Sequence, residues 1–265
     1  MWGNISNIQW TLAIGILILA LMKREPGEKG WLGLEAAYLV GAGLTGPFSI
    51  LAFPIYVLRA YVTRNRYDRI LTAVVGVCAA IQAAPLLATP TEVPHATFPP
   101  SLWWQVPMSR IFGTLFLGTA QTFQVSGTFF YAVVSIALVV WIAVEGKWKL
   151  QKCAIALFLL INLSAVLWKF HPALMMLTNM IFGDRYFYIP RVMILWLMIV
   201  ALDDVAARPL GVTVLLLAAL TTLHHPARFR RPLQEWAAYA DRVNAGEPVE
   251  IPINPGWKII LPARR

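Results

Sequence analysis

The sequence has little charge. Asp, Glu, Lys and Arg together make up 13% of its 265 residues, whereas they make up roughly 25% of a typical soluble domain. Hydrophobic residues account for 58% of the chain, and they recur in runs near the length that crosses a bilayer. These proportions argue against an ordinary soluble fold. They predict an all-α polytopic membrane protein, since a helix satisfies its own backbone hydrogen bonds within lipid.

Acidic residues are scarcer than basic ones. The 13 Asp and Glu residues are outnumbered by 22 Lys and Arg residues, which gives a formal net charge of +9. A basic chain can bind nucleic acid through its phosphates. Here, however, the basic residues cluster at the ends of the apolar runs, where they orient a protein in the bilayer. We therefore expect the lipid bilayer as a partner and no nucleic acid.

Cysteines and catalytic signature motifs are scarce as well. Cys78 and Cys153 are the two cysteines, and neither belongs to a CxxC or Cys–His pattern that would hold a metal. The sequence contains no GxxxxGK[ST], HExxH or GxSxG motif, so ATP-driven transport, zinc peptidase and hydrolase functions lack support. No cofactor is evident, and the spacing of potential ligands does not support a divalent metal.

Six apolar runs are predicted to be transmembrane helices. Several are shorter than the roughly 20 residues of a full span, so flanking aromatic and polar residues would have to complete them. The predicted spans are residues 9–22, 70–87, 129–144, 153–168, 186–202 and 210–223.

The apolar run over residues 31–58 does not fit a single straight helix. Gly43, Gly46 and Pro47 interrupt it near the middle, and basic residues flank it on both sides. If both flanks are cytoplasmic, the chain must enter the membrane and return, which predicts a re-entrant Gly/Pro-broken helical hairpin. The alternative is one tilted, Pro-kinked span. The basic flanks are Lys23, Arg24 and Lys29 before the run and Arg59, Arg64, Arg66 and Arg69 after it.

Residues 88–126 begin with a Pro-rich loop and continue with a helical pattern of apolar residues. The pattern predicts a helix lying in the membrane interface, with its tryptophans at the level of the headgroups. The predicted apolar face is Trp103, Trp104, Met108, Ile111, Phe112 and Leu115, and the predicted polar face is Gln105, Ser109 and Thr114.

Basic residues also set the predicted orientation, in a bacterial inner membrane. Lys147, Lys149 and Lys152 mark a cytoplasmic loop, and the short loop with Asp203 and Asp204 falls on the same side, where both acids are expected to be solvated. Residues 1–223 then form the transmembrane domain. Residues 224–265 form a small tail, predicted to pack on that domain from the extracytoplasmic side, with a helix over residues 232–244 and an extended EIPINPGWKIIL segment.

The segment GDRYFYIPRV, residues 183–192, places cations and phenols where an apolar run begins on the predicted outer side. Guanidinium groups match the geometry of phosphate, and tyrosines suit a boundary between water and lipid. The combination predicts a binding site for a lipid-linked phosphate, while plain anchoring at the interface is the alternative for each single residue. The predicted donor-binding residues are Arg185, Tyr186, Tyr188 and Arg191, together with Arg110 of the interfacial helix.

Two short motifs resemble the GT-C superfamily of polytopic membrane glycosyltransferases. RYFYIP, residues 185–190, resembles the RY…P entry to a late helix in that family, and GLTGPF, residues 43–48, is similar to a short hairpin of its bacterial members. The resemblance implies an α-helical membrane enzyme with its site at the outer face. Such an enzyme transfers a sugar from a polyprenyl phosphate to a glycan or lipid acceptor, by a metal-assisted or metal-free inverting route.

The chain departs from that family at its beginning. The family carries its catalytic carboxylate in the first extracytoplasmic loop, whereas MWGNISNIQW, residues 1–10, contains no acid. We therefore expect a C-terminal portion of such an enzyme, either truncated or inactive, or completed by a missing N-terminal part or a partner subunit. A general base must be a carboxylate or histidine within reach of the acceptor hydroxyl. The candidates on the outer side are Glu92, His95, His171 and Asp184.

Two other classes of function remain open. A lipid-linked-sugar transporter or polysaccharide polymerase component would keep the outer cations but needs a polar path across the membrane, and the small number of charges within the predicted spans counts against it. A noncatalytic membrane scaffold subunit would use Arg185 and Tyr186 only as anchors. The contribution of Arg185 to lipid-phosphate affinity separates the donor-binding and scaffold hypotheses.

Overall fold

The computed structural model describes residues 8–23, 31–88, 99–116, 128–144, 146–171, 174, 177, 184–224, 236–253 and 257–262. Within these residues the chain is mostly helical, with one pair of short strands near its C-terminal end. The helices are α1 (Ile8–Leu21), α2 (Leu32–Leu44), α3 (Phe48–Thr63), α4 (Arg66–Ala88), α5 (Leu102–Pro107), α6 (Thr114–Phe116), α7 (Thr128–Val144), α8 (Lys149–Phe170), α9 (Tyr188–Ala201), α10 (Arg208–His224) and α11 (Trp236–Asn244).

Each of the six predicted spans coincides with a helix, but most of these helices are short. By length and composition, α4 and α8, with 23 and 22 residues, could cross a membrane. Helices α1 and α9 have 14 residues each. At 1.5 Å per residue they rise about 21 Å, against a hydrocarbon core of about 30 Å. The helix lengths therefore support two spans and do not support the predicted six.

Helices α2 and α3 form the predicted helical hairpin. The break falls at residues 45–47, where the hydroxyl of Thr45 donates to the carbonyl of Ala42 at 2.7 Å and Pro47 precedes the first turn of α3. Both arms pack along α1, because the hydroxyl of Tyr38 donates to the carbonyl of Leu12 and that of Tyr56 donates to the carbonyl of Ile16. Helix α3 runs in the direction of α1, since Phe48 contacts Trp10 and Arg59 donates to Ala20. Helix α2 runs the opposite way, since Tyr38 contacts Leu12 and Gly46 after its end lies against Gln9. The two arms are therefore antiparallel, which does not fit the alternative of one kinked span.

The helices alternate in direction, so the described bundle has two distinct ends. At one end, α1 begins at Ile8 and lies against the hairpin tip, since a side chain on Gly46 would meet the amide oxygen of Gln9 at 2.6 Å. The last turn of α8 and the 3₁₀ turn Asp184–Phe187 lie at the same end, because Phe170 contacts Tyr186 with ring centroids 4.9 Å apart. We call this the aromatic end.

The opposite end is held by two buried ion pairs, and we call it the ion-pair end. Arg59 near the end of α3 contacts Asp68 in the first turn of α4, with 3.0 Å between Nε and Oδ1. Lys152 in the first turn of α8 pairs with Asp204 in the loop after α9. A cavity of about 530 Å³ lies between these elements. It is lined by α1, α3 and the first residues of α4 and α8.

The expectation that Asp204 would be solvated is wrong. Its carboxylate contacts the Lys152 ammonium, and its other oxygen accepts the backbone N–H of Lys147 at 2.8 Å. Gly146 has a left-handed φ of +67°, and a Cβ there would lie 2.1 Å from the Asp204 carboxylate. Asp203 is exposed, as predicted, although its carboxylate accepts the indole N–H of Trp148 at 3.0 Å. The loop between α7 and α8 thus closes tightly over Asp204.

Large apolar side chains are exposed along several helices. On α4, Val77 is 61% exposed and Leu87 is 86% exposed, and α10 exposes Leu216 and Leu220 in the same way. Contiguous apolar surface of this kind marks contact with a membrane or another protein. The buried core lies between the helices, with Leu17 of α1, Phe158 of α8 and Leu197 of α9 at its centre.

The predicted interfacial helix is helical but does not present a polar face to water. It consists of α5, a π-helical turn over Met108–Gly113 and α6. Gln105, Ser109 and Thr114 on the predicted polar face are buried, as are Met108 and Ile111 on the predicted apolar face. Residues of both predicted faces are therefore buried in the fold, although Trp103 is 40% exposed. The location of this helix in the membrane interface stays a prediction.

The C-terminal residues form a small αββ unit. Helix α11 ends at Asn244, as predicted, and Gly246 follows it with a φ of +74° and an N–H that donates to the carbonyl of Val243. The extended segment forms two antiparallel strands, β1 (Val249–Ile253) and β2 (Trp257–Leu261), with Val249 opposite Leu261. Residues 232–235 of the predicted helix lie outside the described residues. Packing of the tail on the helices stays a prediction.

The approach of α9 and α10 depends on Gly211. A Cβ at this position would lie 2.8 Å from the backbone carbonyl oxygen of Met198. We expect Gly211→Ala to lower the free energy of unfolding by about 2 kcal/mol, because backbone cannot move away as a side-chain tip can. Gly41→Ala in α2 is the matched control, since nothing that the structure describes lies within 4 Å of its added Cβ.

Chemical unfolding in detergent micelles, followed by tryptophan fluorescence, measures this difference. Gly41→Ala should be neutral or stabilising by up to about 1 kcal/mol, because alanine is the better helix former. Equal effects of the two substitutions would contradict the close approach at Gly211.

Candidate functional site

Tyr186 joins the two sequence motifs that lie far apart in the chain. It sits in the 3₁₀ turn Asp184–Phe187, directly before α9. Its ring makes edge contacts with Trp10 at 5.6 Å and with Phe170 at 4.9 Å between centroids. Trp10 also makes an edge contact with Phe48 at the hairpin tip, at 5.0 Å. The RYFYIP and GLTGPF motifs therefore meet at the aromatic end through a single indole.

Two exposed cations approach the phenol of Tyr186. Lys169 Nζ lies 4.8 Å from the ring centroid and 3.4 Å from the hydroxyl oxygen. Arg185 Cζ lies 5.2 Å from the same centroid, and its Nη2 lies 3.4 Å from the hydroxyl oxygen. These contacts combine cation–π attraction with long hydrogen bonds.

Lys169 and Arg185 bring two positive charges to this place. The Tyr186 side chain that they contact is half-buried. The same two cations would stabilise a bound anion, because opposite charges attract more strongly where water is partly excluded.

Trp10 adds a hydrogen-bond donor to the cluster. Its indole N–H is buried, and among the residues that the structure describes no acceptor lies within hydrogen-bonding distance. A buried donor without a partner costs about 1–3 kcal/mol. A ligand oxygen can accept a hydrogen bond from this N–H only when the side chains that cover it move apart.

Arg110 and Arg191, both predicted phosphate contacts, hold the fold together behind this surface. Arg110 is 0% exposed, donates from Nε to the carbonyl of Leu177 at 2.8 Å and stacks on Phe187 at 5.6 Å. Arg191 donates from Nε to the carbonyl of Arg110 at 2.8 Å. Tyr188 is half-buried against the core. Of the predicted set, Arg185 is the exposed cation and Tyr186 its nearest phenol.

His171 is the described candidate for a general base. It follows the last turn of α8, and its Nδ1 lies 2.7 Å from the carbonyl oxygen of Trp168. Because a carbonyl only accepts, this contact assigns the proton of a neutral ring to Nδ1 and leaves the Nε2 lone pair available. Glu92, His95 and the side chain of Asp184 lie outside the described residues.

Sequence reasoning missed Lys169, Phe170 and Trp10 as members of the cluster. The tripeptide WKF at the end of a predicted span offered a weak signal, since a basic residue there reads as an ordinary anchor. Trp10 offered none, because its neighbours in the fold are 38 or more positions away. Among the described residues, no group of three His, Cys, Asp or Glu side chains could hold a metal ion.

Comparison with known proteins gives no relative. No family model, no curated protein and no solved structure matches the chain. In the part of the chain that the structure describes, the protein is mostly helical, has two helices long and apolar enough to cross a membrane, and carries a cationic, aromatic cluster at one end of its bundle.

Proposed function

We propose that the protein is a multi-pass protein of a bacterial inner membrane, with its aromatic end at the outer face. The exposed apolar side chains of α4 and α10 support this placement. So do the exposed cations Lys23, Arg66 and Lys149 at the ion-pair end, because basic residues favour the cytoplasmic side. In this arrangement the six predicted helices cross the membrane, flanking aromatic and polar residues complete the short ones, and α2 and α3 re-enter.

The proposed ligand at the aromatic end is the phosphate of a polyprenyl-phosphate-linked sugar. The carrying observation is that Lys169 and Arg185, both exposed, contact one phenol at the point where the two motifs meet. Guanidinium and ammonium groups bind phosphate oxygens, and the Trp10 N–H supplies a further donor. The ring cluster offers apolar surface to the isoprenoid next to the charge.

Within this proposal the protein supplies the donor site of a GT-C-like sugar transfer. The acceptor hydroxyl attacks the sugar carbon as the bond to phosphate breaks, and a base takes the hydroxyl proton. We assign that role to His171, because its Nε2 is unprotonated in the neutral ring. Glu92 and Asp184 are the alternative bases, as is a carboxylate supplied by a partner subunit.

Removing both cations tests the donor site. The double variant Lys169→Ala/Arg185→Ala is expected to bind polyprenyl phosphate about tenfold more weakly or worse, because charge-assisted hydrogen bonds contribute about 1.5–3 kcal/mol each. Titration of the purified full chain in detergent, followed by tryptophan fluorescence, gives the dissociation constants. Arg208→Ala is the matched control, since Arg208 is an exposed cation at the opposite end.

Arg208→Ala should bind like the unmodified chain, and Lys169→Arg should retain most of the affinity because it keeps the charge. If the double variant unfolds like the unmodified chain and binds polyprenyl phosphate with unchanged affinity, the proposal is wrong and the cations serve as anchors.

A further inference from the structure

A second cavity, with both polar and apolar lining residues, lies at the ion-pair end beside the turn between α3 and α4. It is open to the surroundings and has a volume of about 570 Å³. Of the described residues that line it, two are arginines and none is an acid, so the lining carries a positive charge. The lining residues are Val57, Ala60, Tyr61, Arg64, Arg69 and Thr72.

The two arginines are placed on neighbouring elements around this cavity. Arg64 follows the last residue of α3, and Arg69 lies in the first turns of α4. Both side chains are exposed, in contrast to Arg59, which is buried with Asp68. Two guanidinium groups that line one cavity match a phosphate, because each offers several N–H donors in a fixed plane.

The backbone at Arg64 is in a conformation that arginine rarely adopts. Its φ is 52° and its ψ is 18°, and its N–H donates to the carbonyl of Ala60 at 3.0 Å, which closes α3. Glycine is the usual residue at this left-handed position after a helix. The left-handed conformation caps α3 and places the Arg64 side chain beside the cavity.

An apolar strip leads away from the two arginines. Val57 is 44% exposed and lines the cavity, and Phe53, one turn earlier on the same face of α3, is 36% exposed. Phe53 lies against Gly76, whose neighbour Val77 on α4 is 61% exposed. A cationic cavity that continues into apolar surface fits a molecule with an anionic head and apolar chains.

We propose that this cavity binds the headgroup of an anionic phospholipid, with Arg64 and Arg69 on the phosphate and the acyl chains along Val57 and Phe53. The ligand is a bilayer phospholipid of the cytoplasmic leaflet and not the polyprenyl phosphate of the aromatic end. The inference rests on the membrane placement of the proposed function, but not on the donor site or on sugar transfer.

The test measures phospholipid binding by the purified full chain in a neutral detergent. Phosphatidylglycerol and phosphatidylcholine are titrated separately, and bound lipid is counted by native mass spectrometry. We expect the unmodified chain to prefer phosphatidylglycerol about tenfold. Arg64→Gly and Arg69→Gln should each remove most of that preference. The matched control Arg66→Gln, an exposed arginine of the same turn that does not line the cavity, should keep it.

Arg64→Gly separates binding from folding. Because glycine suits the left-handed position, this variant should unfold at the same temperature as the unmodified chain or a higher one. Weakened phosphatidylglycerol binding by a protein of undiminished stability would therefore identify the side chain as the cause.

Three results would overturn the inference. The first is equal binding of phosphatidylglycerol by the unmodified chain and the Arg64→Gly/Arg69→Gln double variant. The second is an equal loss with Arg66→Gln, which would indicate diffuse charge. The third is displacement of the lipid by inorganic phosphate at similar concentrations, which would identify a free-phosphate site. Binding of polyprenyl phosphate by the same variants is measured in parallel. It tests the donor site at the aromatic end separately from the phospholipid site.

Discussion

Arg59→Ala is expected to lower the free energy of unfolding by about 4 kcal/mol, because removing one partner of a buried ion pair leaves the other charge without compensation. The Arg59 guanidinium contacts Asp68, whose side chain is 3% exposed. It also donates to the carbonyls of Leu19, Ala20 and Met22 at the end of α1. The substitution therefore removes an ion pair. It also removes the donor to three backbone carbonyls at the end of α1.

Chemical unfolding in micelles measures the loss, and hydrogen exchange at the last turn of α1 locates it. Arg66→Ala, an exposed arginine of the neighbouring turn, should change stability by less than about 0.5 kcal/mol. Arg59→Lys should restore only part of the stability, because an ammonium cannot reproduce the planar fork that reaches several acceptors. A loss with Arg59→Ala no greater than that with Arg66→Ala would rule out this anchoring role.

Lys152→Ala is expected to lower the free energy of unfolding by about 3 kcal/mol, for the same reason of an unpaired buried charge. Lys152 is 0% exposed and Asp204 is 7% exposed, and the pair joins α8 to the loop after α9. The ion pair between Arg242 and Glu247, 3.1 Å apart with side chains 52% and 54% exposed, provides the control. Arg242→Ala should cost no more than about 1 kcal/mol.

The double variant Lys152→Met/Asp204→Leu separates the effect of the unpaired carboxylate from the effect of lost packing. Replacing both charges with apolar groups of similar size is close to neutral in many proteins, so most of the loss seen with Lys152→Ala should be recovered. A double variant as unstable as Lys152→Ala would show that packing, and not the unpaired carboxylate, causes the loss.

The ionisation of Asp204 makes the free energy of unfolding depend on pH. The hydrogen bond from Lys152, followed by that from the Lys147 N–H, lowers the pKa of Asp204 although burial opposes this shift. A group with a lowered pKa stabilises the fold fully above its unfolded value of about 3.9 and loses that contribution as the pH falls through the lowered pKa. The stability difference between the unmodified chain and Asp204→Asn should thus be constant from pH 8 to 5 and shrink at lower pH.

The positions of the helices were predictable because they depend on local composition. An apolar run of more than about 10–12 residues favours a helix over a strand, and α7 covers Thr128–Val144 against a predicted 129–144. The hairpin was predictable for a similar reason, since Gly46 and Pro47 break a helix without help from distant residues. Helix length was predicted less well. The number of complete spans depends on flanking residues whose contribution a local pattern does not measure.

The burial of charged residues was not predictable, because the partners lie far away in sequence. Asp204 pairs with Lys152, 52 positions earlier, and Arg110 donates to Leu177, 67 positions later. A local pattern identifies such residues only as polar and assigns them to solvent or to a ligand. Arg185 and Tyr186 are adjacent in the sequence, so a local pattern could propose them together, whereas Lys169 joins them only through the packing of α8 against α9.

Among the residues that the structure describes, the buried indole N–H of Trp10 has no acceptor, and this affects affinity at the aromatic end. A ligand oxygen that accepts a hydrogen bond from this N–H would relieve a desolvation penalty already present in the fold, in addition to forming a new hydrogen bond. Trp10→Phe keeps the aromatic packing but removes the donor. We therefore expect Trp10→Phe to raise the free energy of unfolding without ligand and to weaken the binding of polyprenyl phosphate.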